Sequence, residues 1–98
     1  MTAGEIRRWS NHPCANQASQ NPEEVRQRVI RLLETDAEDW GASEYEAAGR
    51  VISFVSRMRG NESGDPVSGE DCNLSARDIS LINWGYMPPE VDITLPRE

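Results

Sequence analysis

The stretch from Ser43 to Gly60, SEYEAAGRVISFVSRMRG, constrains the fold more than any other. At about 100° per residue, Ala47, Ala48, Val51, Ile52, Phe54, Val55 and Met58 cover an arc of roughly 160°, wider than an ordinary surface stripe. Ser43 and Glu46 have capping-box spacing, and Gly60 stands where a helix end favours positive φ. The expectation is a central helix over 44–59, contacted from more than one side. Gly49, Ser53 and Ser56 line up beside the arc. A mid-helix Gly costs about 1 kcal/mol relative to Ala, so this small strip predicts close approach by a ring, Trp9 or Trp84, or by an outside partner.

Shorter elements flank that helix. Thr2 and Glu5 have capping-box spacing, and Ile6 and Trp9 share a face, which predicts a short helix over 2–10. Residues 11–21 are polar and aperiodic, a loop. Asn21 as N-cap, Pro22 at the first position, and Val25, Val29, Leu32 and Leu33 on one face predict a helix over 22–34. The short link that follows favours an antiparallel pair with the central helix. Residues 60–73, rich in Gly and acids, read as an exposed, mobile acidic loop. Ser75, Asp78, Ile79, Ile82 and Gly85 predict a helix over 75–84, which Leu81 and Trp84 widen.

Pro88 and Pro89 end helical geometry. Val91, Ile93 and Leu95 then alternate with polar residues as in a strand, yet no second strand of equal quality exists. The segment 87–98 is therefore expected as an extended arm over the helices. Pairing with a second copy in a homodimer ranks next, and addition to a partner's sheet last. The fold class that results is mainly α: one domain over 1–98, a small bundle of three to four helices with an extended C-terminal arm.

The 98 residues carry a net charge of −7, with ten basic residues, all Arg. That charge speaks against direct nucleic-acid binding and against an anionic membrane surface, and the longest apolar run is far too short to span a bilayer. Cys14 and Cys72 lie far apart; without a leader or a Cys-dense framework, both read as reduced thiols in a cytoplasmic protein. His12 lies in a loop with no nucleophile frame around it. His12, Cys14, Asp71 and Cys72 lack the pair spacing of a zinc site, and the 36–47 segment fails a calcium loop at Trp40 and Ala47. No enzyme activity and no cofactor are expected.

Charge placement is the strongest functional signal. Glu34, Asp36, Glu38, Asp39, Glu44 and Glu46 occur without a basic residue between them, and Trp40 sits among them. Glu62, Asp65, Glu70 and Asp71 follow in the second acidic stretch. Read together, these eleven residues predict one acidic, partner-binding face, although Glu44 and Glu46 also suit a helix N-terminus and the others suit plain solvation. Five arginines before residue 32 polarise the chain. The expected function is a non-enzymatic binding module: a stoichiometric inhibitor that docks on a basic protein surface of a nucleic-acid-handling partner, in the manner of immunity, anti-restriction or anti-CRISPR proteins. The alternative is a small assembly subunit that oligomerises through its arm.

Overall fold

In a computed structural model, residues 1–18, 21–62, 64–67 and 71–98 are described. Among them are four α-helices: α1 (Ala3–Trp9), α2 (Pro22–Glu34), α3 (Ala42–Arg59) and α4 (Ala76–Asn83). A single 3-10 turn, Ala37–Asp39, joins α2 to α3. No strand forms among the described residues; the one ladder-like contact is an isolated bridge between Pro66 and Ser75. The mainly helical bundle with its extended arm is the fold.

Local chemistry sets most helix starts. Glu5 N–H donates to Thr2 Oγ1 at 3.1 Å and Thr2 N–H donates to Glu5 Oε1 at 2.8 Å, a complete capping box. Ser75 Oγ accepts from Asp78 N–H at 3.1 Å and opens α4. Asn21 starts α2 by a left-handed turn (φ 55°) with no side-chain cap, and Pro22 supplies the fixed φ of the first position. α3 differs from its expected start. Its N-cap is Gly41 with no side-chain cap, and Ser43 Oγ donates to the neighbouring Glu44 instead of capping. Gly60 keeps φ −78°, so it ends α3 without the left-handed geometry.

The larger correction concerns the centre. α3 has no buried residue. Ile52 and Tyr45 are 66% and 60% exposed, so the broad apolar arc is covered on one side only. A Cβ at Gly49 would meet nothing within 4 Å, which removes the expected ring contact there. Trp84 instead stacks on Phe54 at 4.6 Å between ring centres. α2 and α4 each touch all three other helices, and α4 is the more deeply buried of the two. Its Ile79, Leu81 and Ile82 are fully buried. Each such side chain contributes about 1.5–3 kcal/mol of burial free energy. Leu81, off the expected stripe, is as deep as the stripe itself.

One core cluster joins Trp9, Cys14, Ala15, Cys72, Ile79 and Ile82, and a second joins Ile6, Val29 and Ile30. Cys14 and Cys72 are bonded to each other, with Cα atoms 5.1 Å apart. This overturns the reading of both as reduced thiols. The bond pins the 11–18 turn to the end of the acidic loop. That stretch is further tied by Val67 N–H donating to Leu74 O at 3.0 Å, so it is exposed over 61–62 and 64–66 and held at Val67 and Cys72, while residues 63 and 68–70 of the expected loop lie outside the described residues.

A polar network runs through the same core. Asn83 Oδ1 accepts from Trp9 Nε1 at 2.8 Å and from Arg26 Nη1 at 2.9 Å, while Asn83 Nδ2 donates to Ala15 O at 3.2 Å. Arg26 is 2% exposed, and Nη1 also donates to Ala15 O at 2.9 Å. Its Nε has no acceptor. Burial pushes the guanidinium below its ordinary pKa, and only the nearby charge of Glu23 works the other way. No carboxylate hydrogen-bonds it among the described residues.

The arm runs over the first cluster. Val91, Ile93 and Leu95 face it while Asp92 and Thr94 face solvent, so the alternation holds without a ladder. Arg8 fastens the end, donating from Nε to Pro96 O at 3.0 Å and from Nη2 to Leu95 O at 3.1 Å, and Asn11 donates to Arg97 O at 3.0 Å. Where α4 ends, Gly85 takes φ +89°, and a Cβ there would lie 2.9 Å from Val29 Cγ1 and 3.7 Å from Ile6 Cδ1. Gly85→Ala combines left-handed strain with overpacking of α2, so the expected loss is about 2–3 kcal/mol, read as a lower urea midpoint with unchanged slope. An unchanged midpoint would contradict the close approach.

Candidate functional site

The acidic residues come from three places, and the fold treats each differently. Glu34 closes α2 and is bound by Arg7 Nη2 at 2.6 Å; that hydrogen bond raises the Arg7 pKa. Glu46 is bound by Arg50 one turn along α3 at 2.7 Å. Glu44 lies in the first turn of α3, where the Ser43 hydroxyl is the main cause lowering its pKa. Asp36, Glu38 and Asp39 belong to the link between α2 and α3. All three are exposed, and no ion pair engages them among the described residues.

The turn is rigid for a physical reason. Asp39 N–H donates to Asp36 O at 2.8 Å and Trp40 N–H to Ala37 O at 3.1 Å. Trp40 Nε1 reaches back to Thr35 O at 3.0 Å, and its ring meets Tyr45 edge-on at 5.4 Å. Trp40 is half-buried, so it acts as the bolt of the α2–α3 junction and only its outer edge is available for contact. The carboxylates around it are presented by a fixed backbone.

The second stretch lies elsewhere. Glu62 and Asp65 follow the far end of α3, and 18 helical residues put about 27 Å between the two ends. Asp71 stands beside the buried Cys72. Glu70 lies outside the described residues. The described members therefore do not make one face: Asp36, Glu38, Asp39 and Trp40 form a turn at one end of α3, and Glu62 and Asp65 follow its opposite end.

That far end has its own clamp. Arg77 donates from Nε to Met58 O at 3.2 Å and from Nη2 to Arg59 O at 2.9 Å, capping the last carbonyls of α3. Its Nη1 pairs with Asp78 at 2.8 Å and Glu90 at 2.7 Å, and the Glu90 hydrogen bond is the main cause raising its pKa. Sequence reasoning missed both Arg77 and Arg26. Arg26 stands three and four residues before Val29 and Ile30, on their face, which was the available signal.

His12 stacks on Trp9 at 5.0 Å, and its Nδ1 accepts from Cys14 N–H at 3.0 Å. Burial lowers its pKa. Both ring contacts fix the 11–18 turn. The two cysteine sulfurs are consumed by each other, and no group of three metal-ligating side chains lies together among the described residues. No described helix is long and apolar enough to cross a membrane. No family model, curated protein or solved structure matches the chain.

Proposed function

We propose that the chain is a non-enzymatic protein-binding module that docks through the acidic turn Asp36, Glu38 and Asp39 onto a basic protein surface. The observation that carries this reading is the contrast within the first acidic stretch. Glu34 and Glu46 are matched by Arg7 and Arg50, whereas the three turn carboxylates are held out on a hydrogen-bonded backbone and no ion pair engages them among the described residues. Preorganised, unmatched charge of one sign speeds and orients encounter with the opposite sign. A protein whose groove binds phosphates is the partner class that such a turn suits, with occlusion of that groove as the mechanism. The role is then a stoichiometric inhibitor, in the style of immunity, anti-restriction or anti-CRISPR proteins.

The disulfide bond adds a condition. Such bonds persist in oxidising compartments and are rare in the cytosol. It favours a secreted or periplasmic partner over the cytoplasmic one, and it weighs against the members of that style that act inside cells. Assembly through the arm loses support, because Val91, Ile93 and Leu95 are already covered by the chain's own core.

The test is affinity capture at low and high salt with the oxidised protein, beside the variant Asp36→Lys/Glu38→Lys/Asp39→Lys. The expected result is salt-labile capture of a basic protein, weakened at least about tenfold, about 1.4 kcal/mol, in the variant. Equal capture by the variant at low salt overturns the reading.

A further inference from the structure

Between α2 and α3 runs an apolar groove of ≈ 220 Å³, floored by Val25, Val29, Leu32, Ala47, Val51 and Trp84. Shallower depressions continue it toward Glu44 at one end and toward Phe54 and Arg57 at the other. From Ser43 to Arg57 the groove follows about four turns of α3, about 21 Å. Its rim carries Arg28 and Arg31 from α2 and Arg50 and Arg57 from α3. Glu24 and Glu46 answer Arg28 and Arg50 through exposed pairs one turn apart, and Glu44 stands at one end. Arginines thus outnumber acids around this groove, in a molecule whose net charge is −7.

We propose that this groove binds one face of an amphipathic helix from another protein, with acidic residues flanking its apolar stripe. The dimensions suit the helix-in-groove mode, in which side chains at i, i+3 or i+4, and i+7 fill an apolar trough. The rim selects the flanks, because Arg pairs carboxylates through two parallel hydrogen bonds and its stem adds to the apolar wall. A nucleic acid does not suit an apolar floor in a strongly acidic molecule. A second copy of the chain does not complement the rim either. The outer face of α3, with Tyr45 and Ile52, has Arg59 one heptad on from Ile52, so a copy docked through that face would bring an arginine to an arginine-bearing rim. This site is separate from the acidic turn and does not rest on it.

The experiment uses the oxidised full chain and a display library of helix-forming 18-residue peptides. Leu is fixed at i, i+3, i+4 and i+7, and the flanks vary among Glu, Lys, Gln and Ser. Binding is counted relative to Ala47→Trp, which fills the groove. The expected result is retention of Glu-flanked peptides several-fold over Lys-flanked ones, reversed toward Lys in Arg28→Glu/Arg50→Glu. Circular dichroism checks that both variants stay folded; if the double variant does not, Arg28→Glu alone carries the reversal. Retention equal to that of the Ala47→Trp protein, or retention blind to flank charge, overturns the proposal. So does concentration-dependent self-association in sedimentation velocity that Ala47→Trp abolishes, since the occupant is then a second copy.

Discussion

Replacing both bonded cysteines, Cys14→Ser/Cys72→Ser, should cost about 4 kcal/mol of folding stability, because the bond closes a long loop and removes that much chain entropy from the unfolded state. The two sulfurs are 58 residues apart in sequence and lie in the main core cluster. A domain this small has about 5–10 kcal/mol in total, so the loss approaches half or more of it. Read as a melting curve, the shift is roughly 15–30 °C downward. Reductant should reproduce the shift in the unsubstituted protein. Two titratable thiols in the native, unreduced protein, or superimposed melts with and without reductant, would show that the bond does not contribute.

The second large effect sets two substitutions in one network against each other. Asn83→Leu leaves the Trp9 indole N–H and one Arg26 N–H facing a hydrocarbon, and strands Ala15 O from one of its two donors. Each buried donor left without its acceptor costs about 1–3 kcal/mol, and more for a charged group such as the guanidinium. Arg26→Met takes the charge itself out. Asn83 then still accepts from Trp9 and still donates to Ala15, and the Nε without an acceptor disappears. That change should cost under about 1.5 kcal/mol, or stabilise, as when buried ions give way to apolar side chains of similar volume. Urea unfolding of the two variants decides it: Arg26→Met falling further than Asn83→Leu would mean that the guanidinium, not the amide, holds the network.

Element positions were largely readable from the chain; burial and long-range pairing were not. Thr2 with Glu5, Pro22, and Ser75 with Asp78 announce helix starts because capping is local chemistry, decided within one turn. The alternation of Val91, Ile93 and Leu95 correctly gave one inward face, since that too is local. α3 misled because the width of an apolar arc says what a helix offers and not what arrives to cover it. Ile52 and Tyr45 sit in solvent for that reason. With two cysteines in the chain the pairing has one possibility, but whether Cys14 and Cys72, 58 residues apart, come together is decided by the packing of distant segments and not by either neighbourhood. Arg26 hid behind its charge: a cation on an apolar face reads as solvated until Asn83 is brought to it from the far end of the chain.

The candidate site shows the same divide. The acids of 34–46 and 62–71 are close in composition, but a rigid rod of 18 residues stands between them. Nor could spacing reveal that Arg7 would come from α1 to neutralise Glu34, leaving the turn at Asp36 as the unmatched remainder.

The exposed flank of α3 has a consequence for how such a molecule changes over time. The bonded core, α4 and the arm hold together without the outward half of that helix, so replacements at Gly49, Ile52 or Ser56 leave the scaffold's packing untouched. New specificities can accumulate along that surface by single steps, each tried on a frame already folded.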